Sequence, residues 1–131
     1  MAVFTVYEVR FGIGNCLHFG VFVQTGRDGS GKLMDVRGSV NAGGRLVFNC
    51  RSEMLARFDM KTPMGVIGEH DIYTLENVCR RVDAPDTQYG STSLSGGSSP
   101  ICRCGEWNDR VWSAIYSSGI LSAHYSGFDQ V

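Results

Sequence analysis

Residues 17–40, LHFGVFVQTGRDGSGKLMDVRGSV, decide the fold. Leu17, Phe19, Val21 and Val23 alternate with His18, Gly20, Phe22 and Gln24, the period-two pattern of a strand with two unlike faces. TGRDGSG at 25–31 is dense in turn formers, and LMDVRGSV at 33–40 resumes strand character. Two strands joined by such a turn make an antiparallel hairpin. Upstream, VFTVYEVRF at 3–11 is rich in β-branched and aromatic residues and reads as a strand, broken by GIGN at 12–15. Downstream, NAGG leads into a fourth strand, RLVFNCR at 45–51.

The pattern then loosens. Residues 52–62 fit a short helix or an extended stretch, and 65–73 hold a further short strand. From Thr74, read as an N-cap, Leu75, Val78, Cys79 and Val82 fall at helical spacing. Residues 84–99, APDTQYGSTSLSGGSS, form a polar loop. After Pro100, the residues Trp107, Val111, Ala114, Ile115 and Ser118 make a second helical stripe, with Gly119 as its stop. Leu121, Tyr125 and Phe128 in the tail are expected to dock on the body. Strands first and helices after predict an α+β domain, an antiparallel sheet of about four to six strands packed against two or three helices.

The chain has 131 residues, 43% of them apolar and 19% charged, which fits one globular domain over 1–131. The formal net charge is −1, with twelve scattered Lys and Arg, so the basic footprint of a nucleic-acid binder is missing. No run approaches the ~18 apolar residues of a membrane span. The N-terminal MAVFTVYEVRFG lacks a basic leader, and five cysteines in such a chain read as reduced thiols of a cytoplasmic protein.

Two motifs fail on inspection. Gly26 to Leu33 follows the phosphate-loop pattern until Leu33 stands where Ser or Thr should be, and a strand rather than a helix follows it. Cys102 and Cys104 are one residue apart, where structural zinc takes two to four. No metal or other cofactor is expected. Cys16, Cys50 and Cys79 read as small buried hydrophobes.

Cys104 is different, because it opens the last helical pattern. A thiol there lies at the positive end of the helix dipole, where its thiolate is favoured and free amides can hold an oxyanion. His18 is the candidate base, with Gly20 beside it leaving space for a ligand. Asp35, on the other arm of the hairpin, is the candidate third member that orients the imidazole; paired strands bring such residues within about 5 Å. The plainer reading of Asp35 is a carboxylate on the solvent face. Cys102 is a rival nucleophile, and His70 and His124 are alternative bases.

The stretches His-Phe-Gly-Val-Phe-Val (18–23) and Gly-Lys-Leu-Met-Asp-Val-Arg-Gly-Ser (31–39) resemble the histidine-bearing hairpin of circularly permuted papain-like proteins. That group includes NlpC-type peptidase relatives and the lecithin retinol acyltransferase family. Cys104-Gly105-Glu106-Trp107 resembles the group's late cysteine motif, and the histidine-first, cysteine-last layout is similar to that of small fungal proteins. The chain departs from the acyltransferase pattern at Asp35, where a second histidine is frequent, and at Arg103, where Asn is frequent. The resemblance implies a single permuted papain-like domain.

The leading expectation is therefore a cysteine-dependent hydrolase or acyl-transfer enzyme acting on an amide, ester or thioester of a small molecule or peptide. Cys104 would attack the carbonyl, His18 would shuttle the proton and Asp35 would orient His18. A second reading is a natural-product cyclase or isomerase using His18 and Asp35 as acid–base groups in the same cleft. The third is a non-catalytic binding module, its groove lined by Tyr7, Phe22, Tyr73 and Tyr89 beside the 84–99 loop.

Overall fold

The structure is a computed structural model. It describes residues 2–13, 16–39, 45–82 and 104–122. Five strands form one antiparallel sheet: β1 (Val3–Ile13), β2 (Cys16–Gln24), β3 (Ser30–Ser39), β4 (Arg45–Met54) and β5 (Met60–Gly68). Two helices, α1 (Ile72–Arg81) and α2 (Cys104–Ser118), complete the α+β architecture. The strand order is β4-β3-β2-β1-β5. The first four strands follow one another as a meander, and the expected hairpin is there, with Val21 opposite Met34 and Gln24 opposite Gly31. Its turn closes through Gly29, whose φ of 93° suits glycine.

β4 and β5 lie at opposite edges, yet only Leu55–Asp59 join them. This short crossover must lie over one face of the sheet. It starts at the β2–β3 turn, where the Leu55 amide donates to the Gly29 carbonyl, and ends at β1, where the Asp59 amide donates to the Arg10 carbonyl. Residues 52–62, expected as a short helix or an extended stretch, are mostly extended: the end of β4, a 3-10 turn at Leu55–Arg57 and the start of β5. Pro63 is accommodated because β5 is an edge strand and its register with β1 shifts beside that residue.

The two faces of the sheet are packed differently. On one, Val6, Val21, Val23, Met34, Val36 and Ile67 meet Leu75 and Cys79 of α1 and Trp107, Val111, Trp112 and Ile115 of α2. Each such side chain taken fully out of water contributes roughly 1.5–3 kcal/mol, so this is the main core. A polar clamp fixes α2 across it: Asn108 Nδ2 donates to Glu8 Oε2 at 2.8 Å, and Trp112 Nε1 donates to Asn108 Oδ1 at 3.1 Å. On the other face, Val9, Phe22, Leu33 and Phe58 form a smaller cluster beneath the crossover, with Tyr7, Phe11 and Leu55 around it.

Two expected boundaries shift. The strand expected over 65–73 ends at Gly68, and a 3-10 turn over Glu69–Asp71 leads into α1 at Ile72, so Thr74 lies inside the helix and is not its cap. α2 carries the expected stripe and stops at Gly119, which has φ 77°. The 84–99 loop, Tyr125 and Phe128 lie outside the described residues, whereas Leu121 packs against the main core.

Candidate functional site

Strand alternation places the functional side chains. Phe19, Val21 and Val23 of β2 face the helices, so His18 and Phe22 face the crossover. On β3, Met34 and Val36 face the helices, which turns Leu33, Asp35 and Arg37 the other way. His18 and Asp35 therefore share the crossover face, and both are buried.

Asp35 is not the solvent-face carboxylate of its plainer reading. Its side chain is 0% exposed, and two guanidinium groups hold it. Arg37 Nε donates to Oδ2 at 3.0 Å, and Arg51 Nη1 donates to Oδ1 at 3.4 Å. The chain of charges continues outward: Arg51 Nε lies 3.7 Å from Glu53 Oε2, and Arg57 Nη1 lies 3.5 Å from Glu53 Oε1. A buried carboxylate is tolerable only with such partners.

His18 stacks on Phe11, with ring centroids 5.7 Å apart. Arg37 lies over the same Phe11 ring, 5.5 Å from its centroid. Burial pushes the imidazole pKa down, the Arg37 charge pushes the same way, and the Asp35 charge opposes both. His18 is consequently held neutral at pH 7. Its Nδ1 has no hydrogen-bond partner among the described residues. Asp35 acts on His18 through its charge and spends its hydrogen bonds on the arginines.

Gly20 does not leave space for a ligand. A Cβ built there would lie 2.6 Å from Leu33 Cδ1 and 3.5 Å from Asp35 Cβ, so the neighbouring strand already fills that volume. The open space is beyond it. A cleft of about 360 Å³ is lined by Phe11, Gly12, Arg37, Arg51, Glu53, Arg57, Phe58 and Asp59. Its floor is the sheet and one wall is the crossover. Phe11 and Phe58 meet at 5.4 Å between centroids and form its apolar corner.

α2, which Cys104 opens, packs on the opposite face, against Val21, Val23, Met34 and Val36. The sheet itself lies between that helix and the face carrying His18 and Asp35. Two of the three expected residues are thus brought together, and the element bearing the third is not brought to their face. Cys102 and His124 fall outside the described residues, and His70 is exposed on the 3-10 turn before α1. Cys79 is buried and Cys50 half-buried; burial raises the pKa of both thiols, which suits packing rather than nucleophilic chemistry.

The expected aromatic groove is not assembled either. Phe22 is fully buried in the crossover-face cluster, and Tyr73 is 71% exposed on α1, across the sheet from it. Tyr7 donates to Gln24 Oε1 on the crossover face, and Tyr89 lies outside the described residues.

Sequence reasoning missed Arg37, Arg51, Arg57, Phe11 and Phe58. One signal was available: Arg37 is two residues from Asp35 on the same strand and shares its face. Among the described residues, no three His, Cys, Asp or Glu side chains cluster to hold a metal ion. No described helix is long and apolar enough to cross a membrane. Neither a curated protein nor a solved structure matches the sequence. Residues 6–122 match the model of the DUF6540 family, a family of unknown function, and the chain belongs to that family.

Proposed function

We propose that this domain is a binding module that takes a small molecule in the cleft on the crossover face of the sheet. The observation that carries the reading is the cleft itself, about 360 Å³ of space walled by three arginines and two phenylalanines above a buried carboxylate. That volume suits a small ligand, and a few fixed polar groups beside an apolar corner are what such sites use for orientation. The test is a fragment screen on the 15N-labelled full chain, with charged and neutral fragments. The expected result is amide shifts at Phe11, Arg37, Arg51, Arg57 and Phe58. Hits that map only elsewhere, or no hits at all, overturn the reading.

The cysteine-dependent hydrolase or acyl-transfer reading stands second, because Cys104 lies in the first described turn of α2. It would need either a base other than His18 or an approach of Cys104 around the sheet edge, since His18 lies on the far face of the sheet from the body of α2. Alkylation by iodoacetamide at neutral pH, mapped by mass spectrometry, separates the two. Selective and rapid modification of Cys104 supports the enzyme, and uniform slow modification of all thiols removes it. The cyclase or isomerase reading is weaker still, because Asp35 is engaged by two arginines and His18 is buried behind Phe11.

A further inference from the structure

We propose that the cleft is a site for a monocarboxylate, with the carboxylate held by Arg37, Arg51 and Arg57 and an aromatic or similarly apolar body lying against Phe11 and Phe58. This rests on the binding reading above and specifies the ligand chemistry of the same cleft.

Donor capacity points to an oxyanion. A guanidinium carries five N–H donors in a planar fork. Among the described residues, the ion pairs engage Nε of Arg37, Nε and Nη1 of Arg51, and Nη1 of Arg57. The remaining donors belong to side chains that reach the cleft: those of Arg37 and Arg51 are 32% exposed and that of Arg57 is 69% exposed. Arginine is the residue suited to binding a planar carboxylate through two parallel hydrogen bonds.

Pre-organisation points the same way. Asp35 is fully buried and fixes Arg37 and Arg51 from beneath, while Glu53 fixes Arg51 and Arg57 from the side. The guanidinium groups of Arg37 and Arg51 are therefore placed before any ligand arrives, which lowers the ordering cost of binding, while Arg57, 69% exposed, is tethered by its ion pair alone.

Charge favours a monoanion over a dianion. Three arginines set against Asp35 and Glu53 leave one formal positive charge in the ion-pair network, and Asp59, which also lines the cleft, offsets it. An anion is therefore held by the guanidinium forks and not by a net positive charge. A phosphate dianion would bring a second negative charge toward Glu53 and Asp59. Phe58 is buried in the crossover-face cluster, and the half-buried Phe11 packed against it gives an apolar ligand body an edge to lie on.

The experiment is an NMR titration of the 15N-labelled full chain with phenylacetate, phenylacetamide and inorganic phosphate in parallel. Phenylacetate should shift the amides of Phe11, Arg37, Arg51, Arg57 and Phe58, with an affinity of roughly millimolar for so small a probe. Phenylacetamide and phosphate should shift them far less. Arg57→Gln changes an exposed side chain, so the fold should be retained; it should weaken phenylacetate at least about fivefold, the scale of one charge-assisted hydrogen bond. Equal shifts with phenylacetamide would overturn the carboxylate assignment and leave the binding reading standing. Stronger shifts with phosphate would overturn it in favour of a phosphate ligand. A well-dispersed Arg57→Gln spectrum with unchanged affinity would also overturn it. If no probe moves these amides, the proposal fails, and the neutral arm of the fragment screen decides whether the cleft binds anything.

Discussion

Asp35→Ala should cost about 2–4 kcal/mol of stability, and it should lower the pKa of His18 further rather than raise it. The cost comes from two charge-assisted hydrogen bonds, at 3.0 Å to Arg37 and 3.4 Å to Arg51, made by a carboxylate with no solvent exposure. Breaking a fully buried ion pair is worth about 3–5 kcal/mol, because the orphaned charge cannot reach water. Here the orphaned arginines are each 32% exposed and can rotate outward, so the loss sits below that range. For a domain of this length, ~3 kcal/mol corresponds to a fall in Tm of roughly 10 °C. The electrostatic half of the prediction is more specific. The Asp35 charge raises the His18 pKa against burial and Arg37, so its removal leaves only the two depressing influences. The assay pairs urea unfolding with an NMR titration of the His18 ring in wild type and variant. A stability loss under about 1 kcal/mol would refute the claim that the arginines depend on Asp35. A His18 pKa that rises would refute the placement of Asp35 beside it.

Other consequences follow from the same packing. His18 is held neutral, so protonation favours the unfolded chain. Above the ordinary value of about 6.5 it has no effect, and below it stability falls by about 1.4 kcal/mol per pH unit until the depressed folded value is reached. Subtracting the pH dependence of His18→Gln from that of wild type in urea melts between about pH 7.5 and 5.5 should isolate this slope; identical curves would contradict it. Gly31→Ala should be far more damaging than Gly20→Ala. A Cβ at Gly31 runs into the Val23 carbonyl, which is backbone and cannot yield, whereas the nearest atom at Gly20 is the end of the Leu33 side chain. Thermal melts should give about 1–3 kcal/mol for Gly20→Ala and a larger loss for Gly31→Ala, and the reverse order would show that the β2–β3 register is wrong. Trp107→Ala should cost about 3–5 kcal/mol by opening a cavity in the main core. Trp107→Phe should cost much less than its lost volume suggests, because the buried indole N–H has no partner among the described residues and its removal relieves that penalty. Equal losses for the two in denaturant melts would point to a hidden partner for Nε1.

Most of the fold could be read from the sequence because it is written in local alternation. The 17–40 hairpin, the strands on either side of it and the apolar stripe of the last helix all follow from patterns within about ten residues. The crossover could not be read this way. Whether Leu55 to Asp59 make a turn between neighbours or pass over the sheet depends on β5 pairing with β1, a contact between residues some sixty positions apart. The cleft was hidden for the same reason. Arg37, Arg51 and Arg57 look like three of twelve scattered cations until the β3–β4 register and the crossover bring them onto one carboxylate network. His18 is the opposite case, in which the local signal sufficed to fix its face. Alternation that puts Phe19 and Val21 in the core already turns His18 away from any helix packed on that core, and so away from the element that Cys104 opens.

The length of the crossover also explains why the polar residues lie where they do. Five residues span at most roughly 17 Å even when extended, and part of Leu55–Asp59 is wound into a 3-10 turn. Such a segment can cover only a band of the sheet. Within that band the residues are apolar: Val9, Phe22 and Leu33 lie under Leu55 and Phe58. Beyond it the same face opens to water through Arg37, Arg51 and Glu53 of β3 and β4, with Asp35 buried beneath the two arginines. An apolar surface in that place would leave an exposed hydrophobic patch, and a bare carboxylate would leave an unpaired buried charge. The alternating network avoids both, and it leaves guanidinium donors at the edge of a cavity. The crossover also carries Arg57, and its length sets the 3.5 Å approach of that guanidinium to Glu53. Lengthening Leu55–Asp59 with two glycines should therefore weaken phenylacetate binding while leaving the helix-side core, and the far-ultraviolet dichroism it supports, unchanged.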